Sequence, residues 1–170
     1  MWNARTGQEK WRWDPWVNQT QVRPEICCGV VNRGLAIYQG MVFVPVIDGR
    51  LQALDADTGK YLWHYQENPR EAWDWKATNE MVLTDLTIGG ARRPVLMQAS
   101  INGFFYELDR RDGKLLSAEK YGKATWAEKI DLATGRPVEV ANARYTDGPV
   151  SFYPSQLGVH NWQAMSYNPD

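Results

Sequence analysis

Apolar and polar residues alternate in short runs along this chain, and turn-forming residues punctuate the runs at close intervals. Residues 35–38 and 41–47 read as strands, the second as Met41-Val42-Phe43-Val44-Pro45-Val46-Ile47. Asp48-Gly49 is a two-residue hairpin signal leading into a strand over 50–55. Pro45 has no N–H to give to a ladder, which predicts that its strand lies at a sheet edge or carries a bulge. Residues 60–66 form another strand, ending at Glu67-Asn68-Pro69, and 79–86 alternate as a strand with Gly89-Gly90 as its turn. Residues 94–99 and 104–109 flank Asn102-Gly103, the strongest hairpin signal in the chain. Residues 136–162 are rich in Pro and Gly and read mostly as loop. No long amphipathic helix is present, so the pattern predicts an all-β protein.

A short string recurs on top of this pattern: Asp or Asn, two residues, Thr-Gly, three residues, Trp. It runs from Asn3 through Thr6-Gly7 to Trp11, and from Asp55 through Thr58-Gly59 to Trp63. Weaker echoes start at Asp109 and Asp131. The Asp or Asn oxygen can accept backbone N–H groups two or three residues on, and Gly permits the positive φ that closes the turn. The Trp offers a broad apolar face suited to wedging between sheets. Successive copies start 52, 54 and 22 residues apart. The first two intervals approach the period of about 40–50 residues of a four-stranded propeller blade. The third predicts a turn inside one blade. The competing explanation, four ordinary hairpin turns, leaves the doubled agreement of spacing and Trp position to coincidence. With 170 residues the chain holds about three blades, whereas propellers usually close with about 4–8. The expected fold is therefore a partial β-propeller of about three four-stranded blades.

Composition narrows the function classes. A net charge of −1 and a pI near 6.1 provide no electrostatic footprint for nucleic acid or an anionic membrane. Nine Trp and eight Tyr against four Phe fit inter-sheet wedges, ligand-stacking surfaces or a carbohydrate-binding face. No apolar run is long enough to span a membrane. The start, Met1-Trp2-Asn3-Ala4-Arg5, lacks the basic and apolar regions of a signal peptide. The two cysteines, Cys27 and Cys28, are adjacent, which excludes a disulfide framework and a four-cysteine zinc site.

Four local features carry candidate chemistry. Cys27 and Cys28 are either two small buried thiols or the halves of a strained eight-membered disulfide ring, since neighbouring Cα atoms sit only about 3.8 Å apart. Asp74, in Trp73-Asp74-Trp75, is a carboxylate flanked by indoles and a candidate general base, or a solvated loop Asp beside two packing rings. Arg33, in Asn32-Arg33-Gly34, is able to fork a carboxylate, or is a surface cation. His160-Asn161-Trp162 groups a donor, an amide and a stacking ring. His64 and His160 stand alone and support no metal motif.

Together these features resemble the quinoprotein alcohol dehydrogenases, the pyrroloquinoline quinone (PQQ) enzymes that include methanol and ethanol dehydrogenases. The run from Cys27 through Asn32-Arg33-Gly34 to Ala36 carries the resemblance. So do Trp63-His64-Tyr65-Gln66, Ala72-Trp73-Asp74, Asn102-Gly103-Phe104-Phe105-Tyr106, the stretch from Trp126 to Glu139, and His160-Asn161-Trp162. It covers nearly the whole chain, and the ethanol branch fits better than the methanol branch. The resemblance implies PQQ-dependent oxidation of a primary alcohol to an aldehyde, with an electron acceptor such as a cytochrome c and a periplasmic location. It also implies a vicinal disulfide between Cys27 and Cys28 stacked on the quinone, and Arg33, Asn161 and Trp162 as cofactor contacts. Asp74 would then be the base and a metal ligand. Ca²⁺ is the implied ion, because lanthanide-type members carry a second Asp where this chain has Lys76.

The departures are as specific as the matches. Asp74 follows Cys28 by only 46 positions, where the family has several blades, the other metal ligands and the Trp covering the second quinone face. The chain is therefore expected to be a fragment or an internally deleted form. Residues 1–170 would be an incomplete propeller domain, with non-adjacent blades joined near 59–61. Ile101 stands where ethanol-type relatives carry a cofactor-contacting Lys. Such an arc is expected to leave open blade edges prone to self-association, and catalysis by this chain alone is not expected. The rival from another class is a non-catalytic propeller module acting as a protein-binding scaffold, which would need neither adjacent cysteines nor Trp-Asp-Trp.

Overall fold

Hairpin follows hairpin through the chain, which a computed structural model describes for residues 1–22, 26–27, 32 and 34–169. The first sheet contains β1 (Ala36–Tyr38), β2 (Met41–Pro45), β3 (Arg50–Asp55) and β4 (Tyr61–Gln66), in sequence order. The second contains β5 (Val82–Ile88), β6 (Ala91–Ala99), β7 (Phe104–Asp109) and β8 (Leu115–Lys120), again in order. A third sheet has two strands, β9 (Ala127–Asp131) and β10 (Arg136–Glu139). All named pairings are antiparallel. The one helical turn among the described residues is α1 (Gln19–Val22), which the Asn18 Oδ1 caps through the Gln21 N–H at 3.2 Å. The chain is an all-β partial propeller.

The two large sheets repeat each other in detail. β3 and β4 shift register between Ala53 and Leu54, and β7 and β8 do so between Glu107 and Leu108, the equivalent place. Pro45 does not mark an edge, because β2 lies between β1 and β3. The last β1 pairing is Ala36 with Phe43, so Pro45 sits past the end of that ladder and its missing N–H costs no bond there. The echo at Asp131 lies outside the four-stranded sheets. It closes the β9–β10 hairpin, so that part of 136–162 is strand rather than loop.

The recurring string does two jobs. In each copy the side-chain oxygen caps the turn: Asp55 Oδ1 accepts the Thr58 N–H at 2.8 Å, and Asp131 Oδ1 accepts the Thr134 N–H at 2.8 Å. The Trp of one copy then lies against the Gly of the next. A Cβ on Gly59 would stand 2.6 Å from the Trp11 ring, and one on Gly113 would stand 2.5 Å from the Trp63 ring. No side chain fits between ring and turn, so Gly is needed for space as well as for φ. Gly113→Ala is expected to cost about 2–4 kcal/mol, from left-handed strain plus overpacking. Gly89→Ala, with positive φ but nothing within 4 Å of its Cβ, is expected to cost only about 1–2 kcal/mol. Urea denaturation of the two variants isolates the Trp63 contact.

The core lies between the two large sheets and continues toward β9. Phe43, Leu51 and Ala53 of the first sheet, and Leu96, Phe104, Tyr106 and Leu108 of the second, belong to one buried cluster with Trp63, Trp75 and Trp126. That cluster supports the loop leaving β4, where the candidate chemistry sits.

Candidate functional site

The loop from Glu67 to Asn79 is built around one buried carboxylate. Glu71 accepts the backbone N–H groups of Trp73 at 2.8 Å, Trp75 at 3.2 Å and Lys76 at 2.9 Å. Burial pushes the Glu71 carboxyl above its usual range, and the three N–H donors pull it back toward the ionised form. Asn68 fastens the far side by donating to the Lys76 carbonyl at 3.0 Å, and Asn102 donates to Asn68 Oδ1 at 2.8 Å. Trp73 and Trp75 stack with centroids 4.8 Å apart, and their indole N–H groups donate to the Ala143 and Ser155 carbonyls at 2.8 and 3.0 Å. Arg144 clamps the same loop, lying over the Trp73 ring and bonding the Pro69 and Arg70 carbonyls.

Asp74 projects from this frame with φ +63°. The two indoles stack on each other, so the carboxylate is not held between them. Its Oδ1 accepts the Cys27 backbone N–H at 3.1 Å and pairs with the Lys76 ammonium at 2.7 Å. Both described contacts fall on Oδ1. Lys76, also at positive φ (+51°), is only 7% exposed. Sequence reading treated Lys76 as an absence of a second Asp. The pairing joins two residues that both have positive φ.

The other site residues lie elsewhere around β1. Trp162 is 68% exposed and lines a groove of about 310 Å³ with Gly34, Leu35, Ala36 and Asn79. Asn161 turns its amide inward, donating to the Leu157 carbonyl at 3.0 Å, while its own carbonyl accepts from Asn79 Nδ2 at 2.7 Å. Asn79 Oδ1 is buried without a hydrogen-bond partner. Asp74 does not line that groove. His160 is placed structurally, within hydrogen-bonding distance of the Ala99 and Gln163 carbonyls. Ile101 is buried beneath Gly158 and offers the site no polar atom. Cys28 and Arg33 lie outside the described residues.

Residues 49–120 match the family model of the PQQ "Glucose/ethanol/alcohol dehydrogenase, beta-propeller domain". The chain belongs to the quinoprotein alcohol dehydrogenase family. Quinohemoprotein alcohol dehydrogenase ADH IIB of Pseudomonas putida is 58% identical over 117 residues, 69% of this chain and 17% of its own length. ADH-IIG of the same organism is 50% identical over 121 residues, with the same shares. The solved quinohemoprotein alcohol dehydrogenase of Comamonas testosteroni superposes on 99% of this chain and 31% of its own, with a TM-score of 0.81 at 29% identity. The chain thus spans about a sixth of the length of these curated relatives.

The groove suits part of a flat, oxygen-rich quinone. It presents an exposed indole face for stacking, whereas the buried Asn79 Oδ1 is an acceptor and gives a quinone oxygen no hydrogen bond. Calcium is a different matter. Ca²⁺ takes six to eight oxygen ligands. Among the described residues no group of three or more His, Cys, Asp or Glu could hold a metal ion. At Asp74 one oxygen already faces an ammonium. The described residues do not fit a Ca²⁺ site.

Proposed function

We propose that this chain carries the base and one cofactor wall of a PQQ-dependent enzyme oxidising primary alcohols to aldehydes, and that on its own it binds PQQ weakly without turning alcohol over. The observation that carries the reading is the bond from the Cys27 N–H to Asp74 Oδ1, formed across 47 positions of sequence. It draws Cys27 to the candidate base. The Trp162 groove beside Gly34 supports the same reading, since it brings the segment after Arg33 to the C-terminal aromatic ring.

In this reading Asp74 accepts the hydroxyl proton of the alcohol, while the Cys27 N–H and Lys76 hold its other oxygen in place. A Cys27–Cys28 disulfide would form a flat apolar surface in this reading. Arg33 pairs with a cofactor carboxylate and the Trp162 ring stacks against the cofactor. Bound against these residues, PQQ would supply the two-electron acceptor for the hydride of the carbinol carbon, while Asp74 takes the proton. A periplasmic location suits the disulfide, and the electron acceptor is a cytochrome c by family resemblance. No described helix is long and apolar enough to cross a membrane.

In this reading non-adjacent blades are joined near residues 59–61. The hairpin across it keeps the form of its counterpart in the second sheet, as expected where equivalent blade positions are spliced. Exposed Ile37 and Tyr38 on edge strand β1 support self-association. Equilibrium dialysis with PQQ tests the reading. Binding is expected, and Cys27→Ser or Arg33→Ala is expected to weaken it about tenfold, the loss of one charge-assisted contact or stacking surface. Binding indifferent to both changes would return the scaffold alternative.

A further inference from the structure

We infer that Lys76 takes the place of a divalent ion beside Asp74: its ammonium is the fixed counter-charge of that carboxylate and closes the site to Ca²⁺. The ammonium stands 2.7 Å from Asp74 Oδ1, with the two side chains 9% and 14% exposed. A buried ammonium without a partner is costly, so this pair does not open without a second charge to replace one member. The root of the lysine is pinned as well. Its N–H donates to Glu71 Oε2 at 2.9 Å and its carbonyl accepts from Asn68 at 3.0 Å.

A Ca²⁺ ion on this carboxylate would lie at about 2.3–2.6 Å from an oxygen, and the ammonium already holds that position within a few tenths of an ångström. The two cations would repel at close range in a site that has little water to screen them. One must leave, and Lys76 is held where it is by its ion pair and its two backbone bonds. The consequence is chemical. Where a metal would offer an empty orbital to a bound carbonyl or alkoxide oxygen, this site offers N–H donors.

The inference rests on Asp74 being the base of the proposed reaction, but its test reads ion binding without PQQ. Failure of cofactor binding and failure here are therefore separate results. Trp73 and Trp75 flank Asp74 and sensitise the luminescence of a nearby Tb³⁺, a stand-in for Ca²⁺. The 170-residue chain is titrated with Tb³⁺ alone and then with competing Ca²⁺. Emission from the unaltered chain is expected to be the same as from Asp74→Asn. Lys76→Met, which keeps the buried stem and removes the charge, is expected to bind Tb³⁺ about tenfold more tightly, because affinity follows the charge balance of the ligands. Adding Asp74→Asn to it should abolish the gain. Lys76→Asn, tolerant of positive φ, serves if the Met variant does not fold. Asp74-dependent emission from the unaltered chain, or no gain in a folded Lys76 variant, overturns the inference.

Discussion

Glu67→Gln is expected to make the protein more stable than the unaltered chain at neutral and alkaline pH, by an amount that grows from about pH 4.5 and levels off near pH 8. Glu67 is 1% exposed, and its carboxyl oxygens make no well-formed hydrogen bond, the Ser100 hydroxyl lying near without good geometry. Burial raises its pKa from 4.5 to about 8, with the Ser100 hydroxyl offsetting only part of the effect. The folded form therefore keeps a proton that the unfolded chain releases. Between the two values the unfolded state binds fewer protons, so rising pH favours unfolding. At about 1.4 kcal/mol for each pH unit crossed, the loss by pH 8 is on the order of 4 kcal/mol. Glutamine has no such titration and adds donors facing the unpartnered Ser100 Oγ.

Urea denaturation of both proteins at pH 5, 7 and 8.5 checks this, and parallel stability curves would reject it. His64 acts in the opposite sense. Its pKa is lowered, mainly by burial, so it withdraws stability only as pH falls through its unfolded value of about 6.5. The difference between variant and unaltered chain cancels that contribution, because His64 is the same in both.

Glu67 also shows where sequence reading stops. The turns were legible because their chemistry is local: the Asp55 and Asp131 oxygens cap their own backbones, and Asn102-Gly103 closes its hairpin. The propeller period was legible for the same reason, since Trp63 reaches Gly113 at a fixed spacing. Boundaries set by distant partners were not. Residues 79–81 alternate like a strand, yet β5 begins at Val82. The carbonyls of Ala77 and Asn79 are taken by the Gln98 side chain, and Asn79 Nδ2 bonds the backbone at His160 and Asn161. Those contacts hold the chain off the ladder. β10 includes Pro137, which a two-stranded sheet tolerates because one side of each strand is unpaired.

At the site, the sequence pointed to Asp74 and Trp162 by residue type. It marked Lys76 only as the lack of a second Asp, and it was silent on Glu71, whose three amide bonds shape the loop. A carboxylate and a cation two positions apart also pair at Asp48–Arg50 and Asp109–Arg111. What residue types do not give is the burial of the Asp74–Lys76 pair, which sits in the loop that Glu71 anchors.

The other large effect separates the tryptophans that build the site from the one that faces a ligand. Trp126→Ala is expected to cost about 3–5 kcal/mol, the range for deleting a buried ring and leaving its cavity. Trp126 is fully buried, packs on Trp73 and Trp75 at 5.2 and 5.1 Å and edge-on to Phe104, and donates its indole N–H to the Asn102 carbonyl at 2.8 Å. Its removal takes the floor from the stacked pair that carries Asp74. The loop should lose its near-ultraviolet circular dichroism along with stability. For a domain stable by about 5–15 kcal/mol, this is a substantial part of the whole. Trp126→Phe keeps most of the apolar area and loses the N–H bond, so about 1–2 kcal/mol is expected. Trp162→Ala should behave in the opposite way. Its ring is 68% exposed, so stability should change by less than about 0.5 kcal/mol while PQQ binding falls. A Trp162 change that unfolded the protein, or a Trp126 change that left it intact, would reverse the assignment of core and site. That reversal would place the cofactor surface on the Trp73–Trp75–Trp126 cluster.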